Sequence, residues 1–160
     1  MVVFDTWVRN CDRYSNNLPT NRANYDNVLL ETLVGNDAGN LRLIAMDHTH
    51  CFTCGADLDS KVSHIDRVKD ERIYGLFPGF VSRIRQQHVE AAVADLSNLD
   101  VSFVLGVVEE IPDEWEVPKT VQQALRDVIV QRAGFVAQTI MPKLATVCWP
   151  GKLFDTQLDY

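Results

Sequence analysis

Apolar and polar residues follow one another along the first fifty positions in the order helix, polar loop, β-hairpin. Residues 2–9 place Val3, Phe4, Trp7 and Val8 at helical spacing, which predicts a short amphipathic helix. The runs NVLLETLV and LRLIAM flank the turn-forming segment GNDAGN, which predicts two antiparallel strands. Between helix and hairpin lies NCDRYSNNLPTNRANYDN, a polar loop of about fifteen residues, and loops that long in compact domains are usually functional or disordered.

The pattern after the hairpin predicts a loop-rich segment followed by helices. Residues 48–78 are mixed in character and rich in Gly and Pro, and residues 81–99 carry a good helical period. The apolar run within residues 100–115 fits a strand or a helix end equally well. Residues 113–144 predict helices, with one apolar stripe formed by Val121, Leu125, Val128, Ile129, Arg132 and Val136. The pattern therefore predicts an α+β fold that is mostly helical in its second half.

Length and composition describe an ordinary globular chain. Its 160 residues favour a single domain spanning positions 1–160, and 46% hydrophobic with 23% charged residues is usual for such domains. The net charge of −7, with no basic stretch to offset it, argues against a nucleic-acid partner. No apolar run approaches the roughly 20 residues of a membrane span. The first residues, MVVFDTWVRN, do not resemble a secretory signal, so we expect a cytoplasmic protein without a membrane partner.

The four cysteines, at positions 11, 51, 54 and 148, are too few and too unevenly spaced for a disulfide scaffold. Reduced thiols in a cytoplasm are therefore the expectation.

Candidate chemistry lies where the polar loop meets the hairpin. Antiparallel strands bring the residue before the first strand beside the residue after the second, which places Asn27 next to Asp47. An amide oxygen and a carboxylate are hard ligands suited to Mg²⁺. Asp12, earlier in the loop, can lie close enough to accept a proton from an attacking hydroxyl. In kinases a loop aspartate orients the nucleophile while an asparagine and a second aspartate hold metal.

The segments FDTWVRNCDR, NVLLE and LIAMDHTHCF together resemble the HipA-like kinases, and more distantly the lipid-kinase pattern. The matching part covers residues 3–53. The resemblance implies the C-terminal lobe of a kinase-like fold and an ATP- and Mg²⁺-dependent phosphotransferase whose phosphate acceptor the residues do not identify. By this resemblance Asp12 corresponds to the catalytic aspartate, while Asn27 and Asp47 correspond to the metal- and cofactor-binding pair.

Two departures from the kinase pattern accompany the resemblance. Kinase loops usually place the asparagine about five residues after the aspartate; Asn17 has that spacing, whereas Asn27 lies fifteen residues after Asp12 but directly before the strand. Either asparagine can be the ligand, and Asn27 is favoured because of its place beside the strand. A kinase also needs an N-terminal lobe with a phosphate-covering loop and a lysine. We therefore expect a catalytic lobe that is weak or inactive alone and is completed by an N-lobe or partner protein in trans.

Two other classes of function compete with the enzyme. A lobe lacking its nucleotide-gripping half can serve as a non-catalytic, kinase-like binding protein. The segment DHTHCFTC offers His48, His50, Cys51 and Cys54 as half of a zinc knuckle, although no second Cys-x-x-Cys pair completes it. A small zinc-binding module is thus the third alternative.

Overall fold

A computed structural model of the chain describes residues 1–14, 24–34 and 41–150, with Leu41 described for its backbone only. Within these residues the α-helices are α1 (Val2–Val8), α2 (Ile65–Val68), α3 (Gln86–Ser97), α4 (Val101–Glu109) and α5 (Lys119–Cys148). The strands are β1 (Val28–Thr32) and β2 (Leu41–Ala45). Short 3₁₀ segments cover Tyr25–Asn27, Ser60–Ser63, Pro78–Arg83 and Asp113–Trp115. The α+β class, helical in its second half, is confirmed.

The predicted hairpin forms. Strands β1 and β2 pair antiparallel, with Val28 opposite Ala45 and Thr32 opposite Leu41. The predicted turn between them, residues 35–40, lies outside the described residues. Only Val28 of β1 is buried, and Leu29, Leu30 and Ile44 are 49%, 50% and 38% exposed. The ribbon therefore projects from the helical part with most of its apolar side chains on the surface.

Helix α5 is the centre of the helical part, because α1, α2, α3 and α4 all pack against it. Its predicted stripe is the packed face: Val128 and Val136 are each only 1% exposed. The largest core cluster joins α1, α3 and α5 through residues that include Val3, Val89 and Ile140. Burial of these side chains drives the helices together and positions the end of α1.

The segment whose period was ambiguous is helical. The carboxylate of Asp100 accepts a hydrogen bond from the backbone N–H of Ser102 at 2.8 Å and caps α4. Val104 and Val108 are buried, while Phe103 is 67% exposed. Across residues 1–14, 24–34 and 41–150, no single helix is long and apolar enough to cross a membrane; only α3 and α4 together satisfy length and composition, and they meet at 73°.

Arg132, in the middle of α5, joins this helix to the C-terminal ends of α1 and α2. Its side chain is fully buried within α5, and its guanidinium donates to the carbonyls of Thr6 and Trp7 in the last turn of α1. It also donates to the carbonyls of Arg67, Val68 and Asp70, at and after the end of α2, all within 3.1 Å. The carbonyls in the last turn of a helix have no N–H one turn further along the helix to pair with, and Arg132 supplies donors to several of them. We call this arrangement the Arg132 junction.

Candidate functional site

The site begins where α1 ends. Arg9 adopts a left-handed conformation with φ 53° and closes the helix, its N–H bonding to the carbonyl of Asp5. The chain then passes through Asp12 and Arg13 into the polar loop, whose middle, residues 15–23, lies outside the described residues. The loop closes again at Asn24, whose backbone N–H donates to the carbonyl of Arg13 at 3.4 Å. The two described ends of the loop therefore lie side by side.

The side chains of Asp12 and Asn27 are in direct contact. The side-chain amide of Asn27 donates to Oδ2 of Asp12 in a short hydrogen bond, and the amide of Asn24 donates to the same oxygen at 3.0 Å. A carboxylate only accepts hydrogen bonds, so both amides must turn their nitrogen toward it. Among the described residues Oδ1 of Asp12 accepts no hydrogen bond, which leaves it to receive a proton.

The two asparagines differ in what their oxygens do. The Oδ1 of Asn24 accepts the backbone N–H of Asp26 at 3.2 Å and caps the 3₁₀ segment, so both ends of this amide are used. The Oδ1 of Asn27 has no such partner among the described residues. Of the two, Asn27 is therefore the amide with an oxygen left for a cation. Asn17, the alternative ligand, lies outside the described residues.

Asp47 lies near Asn27 but not directly opposite it. Strand β2 ends at Ala45, one residue earlier than predicted, and the residue paired with Asn27 is Met46, whose N–H donates to the Asn27 carbonyl at 2.9 Å. The predicted pairing of Asn27 with Asp47 is therefore wrong by one residue. Asp47 has φ 54°, a conformation that turns the chain away from the strand direction and is tolerated by Asp better than by most residues.

The Asp47 carboxylate is exposed and oriented by its own turn. Its Oδ1 accepts the backbone N–H of Thr49 at 3.0 Å and the Thr49 hydroxyl at 2.6 Å. The hydrogen bond from the Thr49 hydroxyl, followed by the one from its backbone N–H, holds the pKa of Asp47 below its usual range. The carboxylate is therefore ionised at neutral pH. The Asp47 carboxylate accepts its hydrogen bonds from Thr49 and none from Asn27. Asp12 and Asn27 therefore contact each other, while Asp47 lies at the neighbouring strand end without a hydrogen bond to either.

Three links fasten the loop after Asp47 to the end of α1. The N–H of Phe52 donates to the Val8 carbonyl at 2.6 Å, and Arg9 donates to the Phe52 carbonyl at 2.8 Å. Cys11 and Cys54 form a disulfide with Cα atoms 5.2 Å apart. The prediction that all thiols are reduced is therefore wrong for this pair: the fold brings residues 43 positions apart within bonding reach. These links keep the loop that carries Asp47 close to the one that carries Asp12.

The residues of the zinc alternative do not gather into one cluster in this structure. Cys54 is bonded to Cys11, and burial raises the pKa of the Cys51 thiol to about 11, which keeps it protonated at neutral pH. His48 instead packs edge-on against Phe4, with ring centroids 5.6 Å apart. Across the part of the chain that the structure describes, no three His, Cys, Asp or Glu side chains gather to hold a metal ion. The candidate residues for a hard cation, Asp12, Asn27 and Asp47, differ from a zinc site because they combine carboxylates with an amide.

Arg13 is structural, and it lies at the centre of the site. Its side chain is fully buried and its Nη1 lies 3.0 Å from Oδ1 of Asp5, which is equally buried on α1. Its Nη2 donates to the carbonyl of Met46, directly before Asp47, at 3.2 Å. Burial raises the pKa of Asp5 to about 6, and the positive charge of Arg13 only partly offsets this rise. We call these two residues the Asp5–Arg13 pair.

Aromatic rings support the segment that leads into β1. Phe77 is fully buried and lies 6.3 Å from the ring of Tyr14 and 5.0 Å from that of Tyr25. Phe80 completes the group at 5.6 Å from Phe77. Contacts of this kind add to the apolar burial of each ring. These contacts hold both ends of the polar loop in place, because Tyr14 lies close after Asp12 and Tyr25 lies close before Asn27.

Sequence reasoning missed Asp5, Asn24 and Gly75. Asp5 looked like a polar residue of an amphipathic helix, and nothing local signals its pairing with Arg13 eight residues later. Asn24 was one of several loop asparagines. The signal for Gly75 was present, since a glycine flanked by Tyr74 and Leu76 within an apolar run suggests a close approach of backbone.

Comparisons with family models, with curated proteins and with solved structures found no match to this chain. Function must therefore be inferred from the residues and their geometry.

Proposed function

We propose that this chain is the catalytic-lobe portion of a HipA-like phosphotransferase, a kinase that uses ATP and Mg²⁺. The observation that carries the proposal is the hydrogen bond from the Asn27 amide to Asp12. It joins the proposed hydroxyl-orienting acid to the proposed metal-binding amide at the foot of a hairpin, and the ionised Asp47 follows the other strand. This arrangement divides the work as phosphoryl transfer requires.

Each residue has a distinct role in the proposed reaction. Asp12, with Oδ2 held by two amides, turns Oδ1 toward the attacking hydroxyl, orients it and accepts its proton. Asn27 donates its side-chain N–H to Asp12 and presents its amide oxygen to the cation. Asp47 presents the carboxylate oxygen that accepts no hydrogen bond from Thr49. These hard oxygen donors fit Mg²⁺, which when bound neutralises charge on the phosphates.

The proposal includes a second lobe that grips the nucleotide. Kinases need a lysine on a strand to hold the ATP phosphates, and neither β1 nor β2 contains one. The exposed Leu29, Leu30 and Ile44 of the ribbon lie beside the site and fit an apolar partner surface. We therefore propose an N-lobe or partner protein that docks here, and weak nucleotide affinity with little turnover without it.

The same ribbon favours a second candidate, a non-catalytic binding protein of the same fold. Apolar side chains exposed along a strand pair suit protein–protein contact whether or not chemistry occurs nearby. The two candidates differ in one respect: only the enzyme needs a cation at Asn27 and Asp47.

Thermal unfolding with increasing Mg²⁺ or Mn²⁺ tests the choice. At ten times Kd, binding to the folded state contributes about 1.4 kcal/mol, which corresponds to a rise in Tm of about 3 °C for a chain of this size. We expect this rise in the wild type and in the control Asp57→Asn, which changes another exposed aspartate. We expect none in Asp47→Asn or Asn27→Ala.

Identical curves for the wild type and Asp47→Asn would support the binding protein and contradict the enzyme. A complementary assay adds ATP, Mg²⁺ and a generic protein substrate to the isolated chain. Slow transfer that Asp12→Asn abolishes is the expected result. Robust transfer by the isolated chain would show that no second lobe is needed.

A further inference from the structure

The Asp5–Arg13 pair contacts the backbone at Met46, which links it to the neighbourhood of each proposed site residue. Arg13 follows Asp12 directly, and its Nη2 donates to the Met46 carbonyl, which belongs to the peptide that leads into Asp47. The N–H of Met46 in turn donates to the carbonyl of Asn27. One guanidinium thus connects the loop of the proposed base with both ends of the hairpin.

Among the described residues, the side chain of Arg13 is held by the Asp5 carboxylate and the Met46 carbonyl. Its Nε and Nη1 have no aligned hydrogen bond among the described residues, although Nη1 lies 3.0 Å from the Asp5 carboxylate. Without a counter-charge, a buried guanidinium loses solvation that one carbonyl does not replace. Attraction to Asp5 is therefore what keeps Arg13 inside the protein and within reach of Met46.

The backbone closes tightly over Asp5. Gly75 has φ 69°, and a Cβ atom on it would clash with Oδ2 of Asp5. Its N–H donates to the carbonyl of Tyr14 at 3.1 Å, which ties this segment to the residue after Arg13. A glycine is thus required where the chain shields the pair from water, and shielding strengthens the attraction between the charges.

From this geometry we infer that Asp5 is a positioning residue of the proposed site: through Arg13 it sets the separation between the Asp12–Asn27 contact and Asp47. This inference rests on the proposed function, because the positioning matters only if Asn27 and Asp47 bind a cation. Asp5 touches neither substrate nor metal, so its loss acts through the geometry of Asn27 and Asp47. Residues that hold metal ligands in place typically change metal affinity by about 10- to 100-fold when mutated.

Nuclear magnetic resonance of ¹⁵N-labelled protein tests this inference with two readouts. In the metal-free protein, the side-chain amide signals of Asn27 report its bond to Asp12. During Mn²⁺ titration, broadening of the Asn27 side-chain and Asp47 backbone signals reports affinity. The indole N–H of Trp7, which donates to the Ile129 carbonyl at 2.8 Å, reports whether α1 still packs on α5.

In Asp5→Asn we expect the Asn27 amide signals to move toward those of an exposed asparagine, and Mn²⁺ affinity to fall at least about tenfold. The Trp7 signal stays in place. Arg13→Lys is the second variant: it keeps the buried charge but lacks the planar fork that reaches both Asp5 and Met46. We expect the same changes in it.

Val128→Ala is the matched control, because it destabilises the chain from a different core cluster, where Val128 is 1% exposed. It should leave the Asn27 signals and the Mn²⁺ affinity unchanged. Wild-type Asn27 signals in Asp5→Asn, or equal changes in Val128→Ala, would overturn the positioning role. So would loss of folding in both Asp5→Asn and Arg13→Lys, which would assign the pair to stability alone. A wild type that Mn²⁺ does not broaden would instead overturn the proposed function, while the metal-free signals still decide the role of Asp5.

Discussion

Arg132 and Arg13 both have fully buried side chains, one at the Arg132 junction and the other beside Asp12. Arg132 donates hydrogen bonds to five backbone carbonyls from two helix ends. Within the described part of the chain, Arg13 makes one aligned hydrogen bond, to Met46, and a close charge contact with Asp5. Arg132 is thus fixed by many partners, whereas Arg13 depends on one ion and one carbonyl.

The aspartates beside the two arginines differ in the same way. Burial alone would raise the pKa of Asp70, but hydrogen bonds from Arg72, Tyr74 and Arg9 more than offset it and hold the pKa well below its usual range. The hydrogen bonds that reach Asp5 from Asn10 and Arg13 are too poorly aligned to offset burial, and its pKa rises to about 6. A region that only supports the fold can be fully bonded. The region of the proposed site is left partly unsatisfied, which is common at functional sites.

The largest expected effect is at the Arg132 junction. Arg132→Met removes the donors of five buried carbonyls, so we expect a loss of more than about 4 kcal/mol in the free energy of unfolding. Urea unfolding followed by circular dichroism measures it. Arg126→Met, at a partly exposed arginine of the same helix, should change stability by less than about 0.5 kcal/mol. A loss below about 1 kcal/mol in Arg132→Met would contradict the central role of the junction.

Asp70→Asn should have the next largest effect, about 3–4 kcal/mol at neutral pH, because Arg9 and Arg72 lose a buried counter-charge. Since the folded pKa of Asp70 lies below the unfolded one, its contribution is present above about pH 4 and is lost as the pH falls. The variant should therefore lose less stability than the wild type on acidification, measured by urea unfolding at pH 7, 4 and 3. Asp66→Asn, with a carboxylate 86% exposed, is the control. Parallel curves for Asp70→Asn and the wild type would contradict the assignment.

Two glycines allow the close packing around Asp5 to be tested. Gly75→Ala places a methyl group against the carboxylate and strains a positive φ, so we expect a loss of about 3 kcal/mol. Gly134→Ala lies inside α5, where a Cβ meets nothing within 4 Å, and should gain about 0.5–1 kcal/mol from helix propensity. Thermal unfolding of both variants measures the contrast, and a neutral Gly75→Ala would show that the backbone does not enclose Asp5.

The sequence was informative wherever structure follows from local pattern. The hairpin was predictable because two β-type runs flank a Gly/Asn/Asp turn, and the buried face of α5 because its apolar positions recur at helical spacing. That stripe even included Arg132, but its role depends on carbonyls from residues 6–7 and 67–70, which no local pattern brings together. The same limit applies to Asp5, Gly75 and the Cys11–Cys54 disulfide.

The candidate site shows the limit at a finer scale. Asn27 and Asp47 were placed at neighbouring strand ends by the hairpin alone. The one-residue error arose because Met46 extends the apolar run, while the chain leaves the strand after Ala45 and turns at Asp47. The pairing at a strand end depends on where the backbone turns. The alternation of apolar and polar side chains does not predict that point.

The smallest effect concerns the pH dependence of Asp5. Its folded pKa of about 6 exceeds the unfolded value of 3.8, so the folded state binds the proton more tightly. The contribution of Asp5 is therefore fully present below about pH 4 and is lost as the pH rises to about 6, opposite to Asp70, with a change of about 2–3 kcal/mol. The charged groups that act on it are Arg13 and the Met1 amine, and burial lowers the pKa of that amine. Urea unfolding at pH 4, 5 and 6 should show the stability of the wild type falling relative to Asp5→Asn. A constant difference would mean that Asp5 titrates normally, and that the Asp5–Arg13 pair is as well satisfied as the Arg132 junction.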